Sequence, residues 1–370
     1  MSIIEPVLIE AGAIRQVAPY LLRNRLQRIS IAADSNTFEV VGRVLGQLIE
    51  NAGMNVCITL INPDKQGDVI ADEASVVQLE LDLKQSSAEI VLAVGSGTLH
   101  DIARFSAYAV GIPFVSVPTA PSVDGFNSIG APLIIRGEKK TIAAIGPSAI
   151  FADLDLLTKA PDGMIAAGFG DMLGKYTSLF DWKFGSLAGG EPYSEAVAEQ
   201  TRHALQLCVD NCEEIEKRSP KGIEILTRAL IESGFAMLKF GQSHPASGAE
   251  HHLSHYWEME FMRLGRRQIL HGAKVGVACA EISRLYHGLA IDSPELFPEE
   301  HRQTLLEEID RIPGEHAIKQ LLLKVGGPTS PEQLGVSGDL LSLSMREAHH
   351  IRSNRHTLLK KYNEKKAAPK

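Results

Sequence analysis

Residue types that bind metals or move protons recur at helical spacing in the second half of the sequence. Asp171, Lys175 and Ser178 follow one another at i, i+4 and i+7 in a mostly apolar stretch, so they share one helix face. A carboxylate inside an apolar helix needs a partner, because burying it alone is costly. The partner is either a metal ion or the lysine, through an intrahelical Asp171–Lys175 ion pair. This segment alone does not decide between them.

Two histidines further along the chain stand at a known metal-ligand spacing. Ser247 and Glu250 match a capping box, which predicts that a helix begins there. His251 and His255 then lie on one helix face, four residues apart, as in helical zinc sites. His271 precedes a glycine that opens another predicted helix, and taken alone it is better explained as a turn or capping residue.

These side chains define the kind of ion that the site would hold. One carboxylate and two or three histidines suit zinc, nickel or iron, and they suit calcium poorly. Three protein ligands leave one position open for a substrate, as a catalytic site requires. The sequence thus predicts one divalent metal in the second half of the chain.

A glycine-rich turn in the first half could hold a phosphate group. It follows the apolar segment 90–94 and opens a predicted helix. Glycine lets a phosphate approach the backbone, and the free N–H groups of a helix N-terminus favour an anion. A plain turn is the alternative, because His100 stands where G-x-G-x-x-G has its third glycine. The residues expected to contact the cofactor are Gly95, Ser96, Gly97, Thr98 and Asp101.

A second polar turn, over residues 116–126, follows the next predicted strand. Ligands of parallel sheets bind beyond the carboxyl ends of the strands, so we expect both turns to line one crevice. Thr119 and Ser122 could bind the cofactor, and Asp124 could hold a sugar or polyol hydroxyl. The alternative is a structured loop with an Asx turn.

Asp34 lies just after the first predicted strand and has two possible roles. It could accept hydrogen bonds from the adenine-side ribose of the cofactor, or it could cap the next helix, a role for which Asn36 competes. A carboxylate at this place disfavours a 2′-phosphate, which favours NAD over NADP.

The elements that must position these residues divide the sequence at about residue 160. Before it, apolar strands alternate with helices, which predicts a parallel sheet covered on both faces. Residues 140–145 and 149–153 are predicted to pair as a hairpin beyond this sheet. The predicted strands are 28–33, 55–61, 90–94 and 114–117, and the predicted helices between them are 38–51, 72–86 and 98–110.

After residue 160, helical patterns dominate and strand patterns nearly vanish. We therefore predict a dinucleotide-binding domain over 1–160 and a helical metal- and substrate-binding domain over 161–370. The lysine-rich tail, 362–370, is expected to fray. The predicted helices are 164–183, 194–217, 222–239, 247–261 and 274–287.

Composition excludes several classes of function. The chain has 370 residues, enough for two domains, and a net charge of −8, which argues against a general nucleic-acid surface. No apolar run approaches the ~18 residues that span a bilayer, and residues 1–6 lack the basic start of a signal peptide. The four cysteines form no C-x-x-C pair, so no disulfide framework is expected. We expect a cytoplasmic protein without membrane insertion.

Together these segments resemble the iron-containing alcohol dehydrogenase and dehydroquinate synthase-like superfamily, most closely its sn-glycerol-1-phosphate dehydrogenase branch. The resemblance runs from Arg28 to Leu359. The stretches that carry it are Gly95–Asp101, Pro118–Gly125, Gly170–Lys183 with its Asp-x-x-x-Lys-Tyr motif, and Ser247–His251 with its Ser-Gly-x-Glu-His motif.

The resemblance implies an α/β architecture, with an N-terminal Rossmann-like domain built on a parallel sheet and an all-α C-terminal domain. It also implies metal ligands at Asp171, His251 and His271. His255 then matches a position near the reacting carbon, where it could relay a proton, and Asp124 matches a residue that holds the substrate.

The implied activity is that of an oxidoreductase of phospholipid metabolism, which interconverts dihydroxyacetone phosphate and sn-glycerol 1-phosphate with NAD or NADP and one divalent metal. Lys175, and after it Lys140, are the expected partners of the substrate phosphate. A homodimer is the default for an enzyme of this size. The alternatives are a glycerol dehydrogenase acting on the free polyol, a carbocycle-forming lyase of the dehydroquinate synthase kind, and a non-catalytic NAD- or metal-binding regulator.

Overall fold

The computed structural model describes residues 4–367. The chain forms two compact units: the first runs to Ile165 and includes Arg218–Leu238, and the second comprises Ala166–Lys217 and the chain from Lys239 onward. The boundary predicted near residue 160 did not anticipate that Arg218–Leu238 groups with the first unit. Residues 1–3, at the N-terminus, and 368–370, in the lysine-rich tail, lie outside the described residues.

A six-stranded parallel sheet forms the centre of the first unit, in the spatial order β1-β8-β5-β4-β2-β3. A separate antiparallel hairpin joins β6 and β7. The four predicted strands of the first part, β2 to β5, are confirmed. The strands are β1 (Val7–Glu10), β2 (Arg28–Ala33), β3 (Asn55–Leu60), β4 (Ile90–Gly95), β5 (Phe114–Pro118), β6 (Gly130–Ile135), β7 (Glu138–Ala143) and β8 (Ala149–Asp153).

The predicted pairing of residues 140–145 with 149–153 is wrong. β7 pairs with β6, whereas β8 lies between β1 and β5 and runs parallel to both. All five residues of β8 are buried, as in a strand that is covered on both faces. The short edge strand β1 was not predicted; although Val7, Leu8 and Ile9 are apolar, four residues are too few to show a periodic pattern.

Helices pack on both faces of this sheet. In β4, Ile90, Leu92 and Val94 face one apolar cluster, and Val91 and Ala93 face the other, as the two-residue period of a strand requires. This burial fixes the carboxyl ends of β4 and β5, where the two predicted cofactor turns begin. The helices up to the boundary are α1 (Val17–Arg23), α2 (Ser35–Thr37), α3 (Arg43–Asn51), α4 (Glu73–Gln85), α5 (Gly97–Val110) and α6 (Leu154–Leu157).

Helices, short helical turns and loops make up the described chain from Asp162 to Ala367. The predicted change from alternating strands to helices is therefore confirmed. In the second unit, Phe180, Trp257 and Tyr286 belong to one buried apolar core. The helices are α7 (Asp162–Leu173), α8 (Lys175–Gly189), α9 (Glu195–Asp210), α10 (Cys212–Glu216), α11 (Pro220–Phe240), α12 (Ala249–Arg263), α13 (His271–Asp292), α14 (Arg302–Asp310), α15 (Glu315–Lys324), α16 (Gly338–Glu347) and α17 (Leu358–Ala367).

Two of the predicted helices are interrupted in the structure. The helix predicted over 164–183 breaks at Gly174, where a Cβ atom would come within 2.5 Å of the Val275 side chain, so the glycine lets α13 pack closely. The helix predicted over 194–217 breaks at Asn211. The predicted fraying from residue 362 is not seen as far as the description extends, because α17 continues to Ala367.

Two expectations about the chain as a whole can be compared with the structure. All four cysteines are free thiols, as the absence of a disulfide framework predicted. Within residues 4–367, no helix is both long enough and apolar enough to cross a membrane.

Candidate active site

Three side chains of the second unit are arranged as a metal centre. Asp171, His251 and His271 each offer one ligand atom, and these atoms all lie within 4.8 Å of one another. Asp171 Oδ1 is 3.8 Å from His251 Nε2 and 3.9 Å from His271 Nε2. These separations are too long for hydrogen bonds, but they are close to the ~3.4 Å that separates two ligands of one tetrahedral ion. The donor set fits zinc, nickel or iron.

A glycine contact between two helices places Asp171 opposite His271. Asp171 lies near the end of α7, and His271 is the first residue of α13. A Cβ atom on Gly272 would lie 1.9 Å from the carbonyl oxygen of Ala167, and one on Gly170 would lie 2.5 Å from that of Gly272. Because neither residue carries a Cβ atom, the two backbones can touch there, and the neighbouring carboxylate and imidazole come within reach of one ion.

Glu250 fixes the orientation of the His251 ring. Its Oε1 lies 2.7 Å from His251 Nδ1 and accepts a 2.6 Å hydrogen bond from the Gly248 backbone N–H. Its Oε2 accepts a 2.6 Å bond from the Thr177 hydroxyl. With Nδ1 held in this way, His251 Nε2 faces Asp171, and the carboxylate raises the basicity of the ligand ring. We treated Glu250 only as part of a capping box; its position directly before a ligand histidine was the signal available in the sequence.

His255 lies beside the three-residue cluster and is not one of its three members. Its ring centroid is 6.3 Å from that of His251 and 5.7 Å from that of His271. The spacing of four residues between His251 and His255 therefore places both rings on one side of α12, but the set of three ligand atoms takes His271 instead. The position near the reacting carbon that the resemblance implied for His255 stays a prediction.

Lys175 contacts the same carboxylate as the two histidines. Its Nζ lies 3.6 Å from Asp171 Oδ1, and both side chains are fully buried. The two alternatives left open by the sequence, an ion pair and a ligand cluster, thus occur together at Asp171. A phosphate contact by Lys175 stays a prediction, and the depth of the ammonium group beside a ligand carboxylate does not favour it.

The N-terminus of α12 is capped differently from the prediction. The helix begins at Ala249, and Ser247 makes no capping hydrogen bond to it. Asp181, from α8, takes this role instead, because its Oδ2 accepts a 2.8 Å hydrogen bond from the Ala249 backbone N–H. The Ser247 hydroxyl instead accepts a 2.8 Å hydrogen bond from Arg352 Nη1.

Asp181 is a buried carboxyl whose environment favours its neutral form. Burial, and after it the charge of Glu250, raises the pKa of Asp181 to about 7. The Tyr286 hydroxyl and the Leu358 backbone N–H also donate to it, at 2.7 and 3.0 Å. Asp181 therefore ties α8, α12, α13 and α17 together directly behind the turn that carries Glu250 and His251.

In the first unit, the glycine-rich turn has the features of a phosphate-binding turn. β4 ends at Gly95 and α5 begins at Gly97, and Ser96 between them makes no side-chain capping bond. A Cβ atom on Gly97 would lie 2.8 Å from the Val123 side chain, so the second polar turn packs directly against the first. The Thr119 backbone N–H also donates to the Gly95 carbonyl, at 2.9 Å. The structure thus brings the two turns together, as expected.

His100, at the position of the missing third glycine, joins the turn to the sheet. Its ring nitrogens lie 2.8 Å from the Ser96 carbonyl oxygen and 2.7 Å from the Ser116 hydroxyl. Burial lowers the pKa of His100 to about 3, so the ring is neutral. His100, which replaces the third glycine of the G-x-G-x-x-G pattern, therefore makes structural contacts, and α5 still begins at Gly97.

Asp101 and Arg104 stabilise the second turn. The Arg104 guanidinium donates to Asp101 Oδ1 at 2.9 Å and to the carbonyl oxygens of Gly125 and Gly130 at 2.6 and 2.5 Å. Asp124 lies in this turn, is 4% exposed, and accepts a 2.7 Å hydrogen bond from the Ser233 hydroxyl. Direct contact of Asp101 with the cofactor, and of Asp124 with the substrate, stay predictions.

Asp34 caps the helix that follows β2. Its Oδ1 accepts a 2.7 Å hydrogen bond from the Thr37 backbone N–H, and the Thr37 hydroxyl accepts one from the Asp34 N–H. The capping role is thereby confirmed in preference to Asn36. The ribose contact of Asp34, and the cofactor contacts of Thr119 and Ser122, stay predictions.

Comparisons with known proteins agree with this picture. The family model for iron-containing alcohol dehydrogenases matches residues 8–161. The glycerol-1-phosphate dehydrogenase [NAD(P)+] of Geobacillus stearothermophilus is 47% identical over 98% of this chain and 93% of its own length. The enzyme of that name from Geobacillus thermodenitrificans is 45% identical, with the same coverage.

A solved structure shows the same fold. The sulfoacetaldehyde reductase of Bifidobacterium kashiwanohense, in complex with NAD+, superposes with a TM-score of 0.69 at 16% identity, over 98% of this chain and 97% of its own. The Rossmann-like architecture followed by a helical domain is therefore shown. By its sequence, the chain belongs to the glycerol-1-phosphate dehydrogenase family of iron-containing alcohol dehydrogenases.

Proposed function

We propose that this protein is a metal-dependent, NAD(P)-linked dehydrogenase that interconverts dihydroxyacetone phosphate and sn-glycerol 1-phosphate. The observation that carries the proposal is the cluster of Asp171, His251 and His271, which occurs in a chain 47% identical to a named relative of that activity. The cluster is built as an open site, because three protein ligands leave room for a substrate oxygen.

The residues of the site have three roles: they hold the metal, orient a ligand ring and transfer a proton. Asp171, His251 and His271 would hold a divalent metal, and this ion would supply Lewis-acid polarisation of the ketone oxygen. Glu250 keeps the His251 ring in one tautomer and orientation through its 2.7 Å contact with Nδ1. His255, whose ring lies beside both ligand rings, is the group that we propose to relay the proton of the alcohol.

The first unit positions the cofactor. A nicotinamide cofactor held there would supply or accept the hydride. We propose that the N–H groups at the start of α5, after Gly95 and Gly97, hold its pyrophosphate, since no side chain caps this helix and glycine permits close approach. The carboxylate of Asp34 is proposed to face the adenine-side ribose, which favours NAD.

The experiment that tests the function follows oxidation of NADH by its near-ultraviolet absorbance. Metal-stripped protein is mixed with dihydroxyacetone phosphate, and zinc, nickel or ferrous iron is added back singly. We expect oxidation that requires both the metal and the phosphorylated ketone. Equal turnover of unphosphorylated dihydroxyacetone would instead indicate a glycerol dehydrogenase. No oxidation of NADH with either ketone would support the lyase or the regulator.

Two further expectations about the protein remain proposals. A homodimer is proposed because the edge strand β3 exposes Ile58 and Leu60, at 40% and 42%, and exposed apolar edges favour self-association. Light scattering of the purified protein measures its mass directly, and a monomer at micromolar concentration would contradict this proposal. The cytoplasmic location expected from the sequence also stays a prediction.

A further inference from the structure

An unusual concentration of positive charge lies at the N-terminal side of α12, in the second unit. Arg352 donates from Nη1 to the hydroxyls of Ser243, at 3.0 Å, and Ser247, at 2.8 Å. Within residues 4–367, Arg352 hydrogen-bonds to these neutral hydroxyls and forms no ion pair with a carboxylate. The guanidinium is only partly accessible, so its charge is neither fully hydrated nor paired.

A second arginine lies directly behind the first. Arg355 is 2% exposed and donates from Nη1 to the Ser247 carbonyl oxygen at 2.7 Å. Its Nε is 3.4 Å from Glu191 Oε1, and its Nη2 is buried without a hydrogen-bond partner. Glu191 also faces His244, at 3.6 Å. Glu191 is therefore shared between Arg355 and His244, and among the described residues Arg352 has only the two serine hydroxyls.

The groups around Arg352 also indicate an excess of positive charge. His252 is 1% exposed, and neither of its ring nitrogens has a hydrogen-bond partner. Burial, and after it the charge of Arg355, lowers the pKa of Arg352 to about 10. Since an unpaired cation in a partly dry site is costly, an anion would be strongly favoured there.

We propose that Arg352, together with the hydroxyls of Ser243 and Ser247, binds the phosphate of the substrate, and that Arg355 positions this group from behind. This inference rests on the proposed function and names the recognition element of the same active site. Arginine suits the role, because its planar fork matches two phosphate oxygens at once.

Ser247 connects the proposed phosphate site to the metal centre along the chain. Ser247 directly precedes Gly248, whose N–H shares Glu250 Oε1 with the ligand residue His251. The phosphate site thus includes a residue four positions before a metal ligand in the chain. In dihydroxyacetone phosphate, one carbon and one ester oxygen separate the reacting carbon from the phosphorus, so the phosphate must bind near the metal.

This assignment differs from the one made from the sequence, which placed the phosphate at Lys175. The Lys175 ammonium is fully buried and lies 3.6 Å from the ligand carboxylate of Asp171. Removing it should therefore disturb the metal site for every substrate. Removing the Arg352 guanidinium should affect phosphorylated compounds alone.

The test compares Arg352→Gln with Arg346→Gln, which makes the same change at an exposed arginine of α16. For zinc-loaded protein, we expect R352Q to raise KM for dihydroxyacetone phosphate by roughly 10- to 100-fold, with kcat and the turnover of unphosphorylated dihydroxyacetone nearly unchanged. R346Q should behave as the wild type. Equal losses with both ketones, or a selective loss in Lys175→Ala but not in R352Q, would overturn the assignment.

A binding measurement separates this inference from the proposed function. Inorganic phosphate should raise the melting temperature of the metal-free wild type and of R346Q, and it should do so far less for R352Q. If R352Q does not fold, Arg352→Lys replaces it, because lysine keeps the charge but loses the fork. Phosphate binding with a wild-type Kd in the variant would refute the site. Inactivity of the wild type toward dihydroxyacetone phosphate would instead refute the function, while this arm still tests the site.

Discussion

Glu250 contacts the ligand His251 but does not belong to the three-ligand set, so its effect on metal affinity can be tested separately. In Glu250→Gln, a carboxamide replaces the carboxylate at the same size. Its oxygen can still accept from Gly248 N–H and His251 Nδ1–H, and its NH2 group can donate to the Thr177 hydroxyl, which has the Gly174 carbonyl at 3.3 Å as an alternative acceptor. The substitution therefore removes the charge and keeps the geometry.

The size of the effect follows from the kind of hydrogen bond that is lost. Bonds to a charged group contribute about 1.5–3 kcal/mol and neutral ones about 0.5–1.5 kcal/mol, so E250Q should lose about 1–2 kcal/mol at His251. At about 1.4 kcal/mol per tenfold, this is a ~5- to 30-fold weaker metal affinity. Glu250→Ala should cost more, because three buried donors lose their acceptor at once.

The assay is competition for zinc against a chelating dye, which measures affinity without any turnover. The control is Glu260→Gln, on the same helix α12, where the carboxylate pairs with Arg263 near the surface. E260Q should bind zinc as the wild type does. A Kd for E250Q within twofold of the wild-type value, in a protein with an unchanged melting temperature, would show that this carboxylate does not tune the ligand.

Three further predictions concern the packing, the pH dependence and the cofactor. Gly272→Ala should lower the unfolding free energy by ~1–3 kcal/mol and weaken zinc binding, because its Cβ atom would lie 1.9 Å from the Ala167 carbonyl oxygen. Gly288→Ala, in the same helix but with open space around it, should change neither property. Denaturant melts of the two variants test this difference. Because the pKa of Asp181 is raised from 3.8 to about 7, the folded state binds the extra proton between these values, so the unfolding free energy should fall as pH rises from 4 to 7, by up to ~1.4 kcal/mol per pH unit. Asp181→Asn should flatten this slope, and parallel pH profiles of both proteins would contradict the assignment. Asp34→Ser keeps a capping oxygen but removes the charge, so it should improve kcat/KM for NADPH relative to NADH by about tenfold, and an unchanged ratio would exclude a ribose contact.

Local patterns predicted much of the fold. The strands β2, β4 and β5 were found because most of their residues form apolar runs, as in buried parallel strands. β8 was found as a strand but given the wrong partner, since the period of a strand carries no information about which neighbour it pairs with. The break at Gly174 depends on the approach of Val275 from a distant helix, which no local pattern records.

The site residues that stand in a local motif were predicted from the sequence. The contacts made by residues from distant parts of the chain were not. Asp171 and His251 stand in recognisable motifs, whereas His271 alone gave no signal and entered through the resemblance. The roles of Asp181 and Arg352 depend on contacts across the fold with Ala249 and Ser247, and these pairs are far apart in sequence. Such pairs become visible only when the helices have packed.

The proposed function specifies one substrate and one enantiomer of it. The most direct measurement therefore follows reduction of NAD+ by the zinc-, nickel- or iron-loaded protein. The substrates tested in turn are sn-glycerol 1-phosphate, sn-glycerol 3-phosphate and glycerol. We predict NADH formation with sn-glycerol 1-phosphate, a strong preference for it over the other two compounds, and loss of the reaction when the metal is removed. Equal rates with both enantiomers, faster oxidation of glycerol, or turnover that survives removal of the metal would contradict it.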